Sequence, residues 1–135
     1  MPQDKPLKIL LVDDEPLARS RLRELLGDIA IQCASEVVGE AGNGIAALEF
    51  IRKSPVDVVL ADIRMPGMDG IELAGHLGAF EHTPAVIFIT AYDNYAVQAF
   101  DLNAVDYLLK PVRTQRLLTA LQKIVAAPRP DPAVL

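Results

Sequence analysis

The chain has 135 residues, 51% of them hydrophobic and 23% charged, which fits one globular domain with a single core and excludes a disordered chain. Its 13 basic and 18 acidic residues leave a net charge of −5, which disfavours direct binding of this segment to nucleic acid or to a membrane surface. Cys33 is the single cysteine, so no internal disulfide or zinc site forms, and a small half-buried side chain in a reducing compartment is expected. The N-terminus "MPQDKPLK" lacks a signal segment, and no apolar run reaches the roughly 18 residues of a membrane span, so the protein is expected to be soluble and cytoplasmic.

Five short apolar runs of strand character alternate with five amphipathic stretches, without a tandem repeat. "KILLV" (8–12) comes first, followed by a helix with Ala18, Leu22, Leu25 and Leu26 on one face and Arg19 and Arg23 on the other. "EVVGE" (36–40) and the "GNG" turn precede a helix carrying Ala47, Leu48 and Ile51. "VDVVLA" (56–61) precedes one carrying Ile71, Leu73, Ala74 and Leu77. "AVIFIT" (85–90) leads into a helix around 93–102 with Ala96, Val97 and Phe100 on its apolar side. "AVDYLL" (104–109) leads into a last helix with Leu117, Leu118, Leu121, Ile124 and Val125. The alternation predicts a (βα)5 doubly wound parallel sheet covered by helices on both faces. Residues 127–135, "APRPDPAVL", hold three prolines and no packing pattern, as expected of a linker or tail after a domain spanning 1–126.

In such a sheet, ligands bind beyond the carboxyl ends of the strands. Strand one there presents Asp13 and Asp14, strand three Asp62, strand four Thr90, and strand five Lys110 before Pro111. With strand order 2-1-3-4-5 the three aspartates converge, flanked by Thr90 and Lys110. Carboxylates so crowded repel unless a cation lies among them, and a hard divalent ion with oxygen ligands, Mg²⁺ (or Mn²⁺), answers that need. Helix capping competes as an explanation of Asp13-Asp14-Glu15-Pro16, and Thr90 with Asp93 could open helix four as a capping box.

The set "VDDEP", "VVLADIRMPGMDG", "FITAYD" and "DYLLKP", spanning about residues 7 to 126, closely resembles the receiver domain of bacterial two-component response regulators. "TAYDNYAVQAFDLNAVDYLLKPV" is most similar to the LytR/AlgR branch, whose members usually carry a C-terminal LytTR DNA-binding domain, absent from this chain. The resemblance implies a flavodoxin-like five-stranded fold and a sensor histidine kinase as partner. Asp62 would be the phosphoacceptor and Lys110 the cation on a phosphoryl oxygen. Asp13, Asp14, Asp62 and the Arg64 backbone carbonyl would hold the metal. Thr90 and Tyr107 would form the switch pair, and the Lys110-Pro111 peptide would be cis. Arg64, two residues beyond the phosphoacceptor, is expected to influence phosphate lifetime in an undetermined direction.

Phosphate brings about 1.5 to 2 negative charges, and helix four, strand five and helix five are the expected responding elements. Their surface residues Tyr95, Asp101, Asp106, Arg113 and Arg116 suit a homodimer seam, with a merely solvated surface as the competing reading. His76 and His82 are expected on the surface. The chain is thus expected to be a regulatory phosphoacceptor and not a metabolic enzyme. Other functions remain open: a stand-alone receiver acting by protein binding, an aspartate-based Mg²⁺-dependent phosphohydrolase, or a flavin module. The phosphohydrolase lacks its Asp-x-Asp motif here, and the flavin module would set cofactor phosphate against an acidic loop.

Overall fold

A computed structural model describes residues 5–126; the expected tail, 127–135, lies outside the described residues. In chain order the elements are β1 (Leu7–Val12), α1 (Pro16–Asp28), β2 (Ser35–Ala41), α2 (Gly44–Lys53), β3 (Val58–Ala61), α3 (Gly70–Leu77), β4 (Ala85–Thr90), α4 (Ala96–Asp101), β5 (Asp106–Leu109) and α5 (Thr114–Ala126). The strands form one sheet in the order β2-β1-β3-β4-β5, every pair parallel. This is the expected (βα)5 flavodoxin-like arrangement.

Alternation along each central strand divides the core between two faces. Ile9 and Leu11 of β1, Leu60 of β3, and Ile87 and Ile89 of β4 meet Leu22, Leu25 and Leu26 of α1 and Leu117 and Leu121 of α5. Leu10, Val12, Val59 and Phe88 point the other way, onto Ala47 and Leu48 of α2 and Leu73 and Leu77 of α3. Burial on both faces is why β1, β3 and β4 read as nearly continuous apolar runs. α2 and α3 start on side-chain caps: Asn43 Oδ1 accepts from Ala46 N, and Asp69 Oδ1 accepts from Glu72 N.

Several boundaries and faces depart from the sequence reading. β3 begins at Val58, after Asp57 places its own Oδ2 on the Lys8 N–H. β5 begins at Asp106, because the chain is still leaving a turn through Asn103, at φ 61°. The fourth helix has six residues and buries Ala99, while Val97 and Phe100 are 75% and 81% exposed. Ala99, together with Leu102 and Ala104, makes the contact with the second core. In so short a helix, spacing alone cannot choose between two apolar stripes. Val125 likewise leaves the buried side of α5, and Cys33 is fully buried instead of half-buried, which pushes its thiol pKa up.

Gly70 marks a close approach that positions the end of β3. Its N–H donates to the Ile63 carbonyl at 2.7 Å, and a Cβ there would stand 2.2 Å from the Asp62 carbonyl oxygen and 3.0 Å from Ile63 Cα. Overpacking of this kind costs about 1–3 kcal/mol. Gly70→Ala should therefore lower the urea midpoint without changing the slope of the transition.

Candidate functional site

Asp13, Asp62 and Lys110 sit one step past the ends of β1, β3 and β5, where the parallel ladder is still intact; Asp14 comes one residue later, and Thr90 closes β4. Asp13 N donates to Ala41 O at 3.0 Å, Asp62 N to Val12 O at 2.9 Å, and Lys110 N to Thr90 O at 2.8 Å. Each strand therefore delivers its functional side chain at a height set by its neighbour's backbone. The Lys110-Pro111 peptide is cis.

At that level the three aspartates come together: one carboxylate oxygen from each of Asp13, Asp14 and Asp62 lies within 4.8 Å of the others. Asp13 is buried, Asp62 half-buried and Asp14 exposed. Backbone donors orient two of them, Glu15 N on Asp13 Oδ1 at 2.9 Å and Ile63 N on Asp62 Oδ1 at 2.7 Å. Lys110 Nζ bridges their other oxygens, 2.8 Å from Asp13 Oδ2 and 2.9 Å from Asp62 Oδ2. Burial alone would lower the lysine pKa, but the two carboxylates outweigh it and raise it, so the ammonium stays charged. Three carboxylates facing one ammonium leave negative charge unmatched at the mouth of the crevice.

Helix capping does not account for the acidic pair. The N-cap of α1 is Glu15, which makes no side-chain cap bond, and Pro16 occupies the first turn. The capping box at Thr90 is also absent: α4 starts from Tyr95, again without a side-chain cap bond. Thr90, wholly buried, instead receives the Tyr92 N–H on Oγ1 at a long 3.4 Å. Tyr107 packs its ring obliquely on Phe88, centroids 6.4 Å apart, and donates its hydroxyl hydrogen to the Tyr92 carbonyl.

Arg64 is exposed and lays its guanidinium over the Tyr92 ring, 3.8 Å from the centroid. Its Nε donates to the Tyr95 hydroxyl at 3.1 Å. Tyr92 was not singled out by sequence; no spacing rule brings residue 64 to residue 92. Arg19 lies opposite the apolar face of α1, as its spacing implies, and turns back to donate to the Asp13 carbonyl at 2.5 Å and to share Glu40 with Arg23, both at 2.7 Å. Hydrogen bonds from Arg23 and then Arg19 hold the Glu40 carboxyl below the usual range. His76 and His82 are exposed and away from the crevice, as expected.

Of the expected seam residues, Asp101, Arg113 and Arg116 are exposed, and Tyr95 and Asp106 are half-buried. Asp106 is already paired within the chain, with Lys123 Nζ at 2.8 Å and Arg116 Nη2 at 3.3 Å. Burial would raise its pKa, but hydrogen bonds from Lys123 and the Tyr107 N–H outweigh it and lower the value. A carboxyl depressed on folding contributes stability above its unfolded pKa, about 3.9, and loses it as pH falls through the folded value. Asp106→Asn should thus be less stable than wild type near neutrality, and the gap should close below about pH 4 in urea titrations repeated at each pH.

Comparison with known proteins agrees with this geometry. Residues 9–122 match the response regulator receiver domain family. The positive alginate biosynthesis regulatory protein of Pseudomonas aeruginosa is 48% identical over 125 residues, 93% of this chain and 48% of that protein, in line with the expected LytR/AlgR branch. The transcriptional regulatory protein BtsR of Escherichia coli (strain K12) is 43% identical over 118 residues, 87% of this chain and 48% of that protein. The chain spans about half the length of these curated relatives. The crystal structure of the response regulatory domain of mrkE from Klebsiella pneumoniae aligns with a TM-score of 0.80 at 38% identity, covering 87% of this chain and 94% of that one. With its aspartates and lysine gathered at the carboxyl end of a 2-1-3-4-5 sheet, the chain belongs to the response regulator receiver domains of two-component signalling.

Proposed function

We propose that the chain works as a phosphorylation-operated switch in which Asp62 accepts a phosphoryl group from a sensor histidine kinase. The observation that carries this reading is the bridge from Lys110 Nζ to Asp13 and Asp62 beside the exposed Asp14 carboxylate. A carboxylate oxygen of Asp62 attacks phosphorus; the new O–P bond forms as the P–N bond of a phosphohistidine breaks, and the departing imidazole takes up a proton. The backbone bond from Ile63 N holds the other oxygen still, so the nucleophile is aimed before the donor arrives. Lys110 then shifts from sharing two carboxylates to meeting the incoming phosphoryl oxygens, where a fixed cation is most effective.

The residues fit a magnesium ion. Their donors are hard carboxylate oxygens in one cluster whose charge the lysine only partly offsets, so Asp13, Asp14 and Asp62 would hold Mg²⁺ or Mn²⁺, with the Arg64 backbone carbonyl as the further ligand that the family resemblance implies. When bound, the ion neutralises phosphoryl charge and orients the donor. Thr90, the last residue of β4, would give its hydroxyl to a phosphoryl oxygen, and Tyr107 would follow the movement of Thr90 as its switch partner. The domain spans 1–126, and 127–135 serves as the linker to a LytTR-type DNA-binding domain, an arrangement supported by relatives about twice as long. Among the described residues no helix is long and apolar enough to cross a membrane.

Output passes through the face of α4, β5 and α5 to a second copy of the chain. Tyr95, Asp101, Asp106, Arg113 and Arg116 belong to it, and the same elements expose the apolar side chains of Val97, Phe100 and Leu109, the last 49% exposed, which suit burial between subunits.

Treatment with a small-molecule phosphodonor and Mg²⁺ should add one base-labile phosphoryl group to the wild type, read by intact mass, and none to Asp62→Asn. Equal labelling of the variant would defeat the assignment. Lys110→Ala should slow labelling about a hundredfold or more, the cost of losing one positioned donor to a developing anion. Phe100→Glu should leave labelling and thermal stability intact while abolishing phosphorylation-dependent dimers in sedimentation velocity runs.

A further inference from the structure

Tyr92 is the meeting point of Arg64 and both residues of the expected switch pair, Thr90 and Tyr107. Its ring lies under the Arg64 guanidinium, its N–H donates to Thr90 Oγ1, and its carbonyl accepts the Tyr107 hydroxyl. Arg64 also grips Tyr95, through Nε at 3.1 Å and with its guanidinium 5.8 Å from the ring centroid. Tyr95 is the N-cap of α4. One side chain from the loop after Asp62 thus holds both the loop after β4 and the first turn of α4. The chain has three tyrosines and no tryptophan, and all three tyrosines lie in this cluster.

We propose that Arg64 is a positioning residue that couples the phosphoacceptor loop to Tyr107 through Tyr92, giving the switch a second mechanical route beside Thr90. The inference rests on the reading of Asp62 as phosphoacceptor. Arg64 is two residues from Asp62, so any displacement of that loop on phosphoryl arrival moves the guanidinium. A planar cation stacked on a ring and hydrogen-bonded to a second transmits that displacement as a lateral pull on both tyrosines. The Tyr92 carbonyl moves with its ring, and the Tyr107 hydroxyl follows its acceptor. Thr90 acts on the same residue from the other side, by keeping or releasing the Tyr92 N–H. The direction follows from the geometry: the stack holds the Tyr92 carbonyl where Tyr107 reaches it, so Arg64 favours the docked position of Tyr107.

The three tyrosines make the test direct. The full chain labelled with 3-fluorotyrosine gives three ¹⁹F resonances, assigned by the Tyr92→Phe, Tyr95→Phe and Tyr107→Phe variants, and is titrated with the phosphoryl mimic beryllium trifluoride in the presence of Mg²⁺. In Arg64→Ala the Tyr107 resonance should move toward its solvent-exposed position before any addition. The mimic then has less docking to overcome, so the midpoint for beryllium trifluoride should fall about three- to tenfold, the scale of one stacked cation and one hydrogen bond. Arg64→Lys keeps a cation for the ring but loses the planar Nε donor, and should recover part of the shift. Thr90→Ala should retain a partial Tyr107 response that the Thr90→Ala, Arg64→Ala double variant lacks. Arg64 is exposed, so unchanged circular dichroism melting of its variants excludes a folding defect. A wild-type response reproduced by Arg64→Ala with the same midpoint, or a Thr90→Ala variant with no Tyr107 response at all, overturns the second route. A wild type that shows no response to beryllium trifluoride overturns the phosphoacceptor reading itself and the coupling with it.

Discussion

The site depends on one ammonium group reaching across a strand. β1 and β3 are neighbours, so Asp13 and Asp62 stand side by side, whereas β5 is separated from β3 by β4. Lys110 must therefore pass over the end of β4, where Thr90 lies, to sit 2.8 and 2.9 Å from the two carboxylates. A short basic side chain at this position could not make the span. Without that cation, partly buried like charges would face each other at the end of a rigid sheet, an arrangement that folding disfavours.

The rest of the fold keeps those ends from moving independently. Ladder bonds continue past β1, β3 and β5 into Asp13, Asp62 and Lys110, so the height of each side chain is a property of the sheet. On one side the loop after β3 is tied down twice, by Gly70 N on Ile63 O at 2.7 Å and by Gly44 N on Met68 O at 3.1 Å. Arg19 fastens α1 to the Asp13 carbonyl and to Glu40 of β2. The other side is built differently: α4 has six residues and one buried side chain, and its large apolar residues face outward. Such sparsely packed elements lie at the low-stability end of a structure and move first. Rigidity around the aspartates and looseness at α4 suit the proposed switch, because a change in charge at a fixed point needs one element able to respond.

The conformation of that loose side is set by a small polar and aromatic cluster. Tyr92 and Tyr95 are held by Arg64, and Tyr92 in turn receives Tyr107. The contacts between the loop after β3 and β5 thus run through exposed and half-buried side chains, with Tyr107 resting on the buried Phe88.

Period and composition by themselves determined the five strands, the five helices and the parallel class, because burial on both faces demands apolar runs such as "AVIFIT". The positions of Asp13, Asp14, Asp62, Thr90 and Lys110 were legible for the same reason: each follows a recognisable strand, and strand ends are where a parallel sheet gathers its polar groups. Only the tertiary structure decided that Lys110 bridges two of the aspartates, that Arg19 turns back to Glu40, and that Arg64 meets Tyr92 and Tyr95. Those contacts join residues distant in sequence through long, flexible side chains, which leave no periodic trace. It also decided that Val97 and Phe100 face solvent, since a helix of under two turns has too few residues for its apolar spacing to name the buried side.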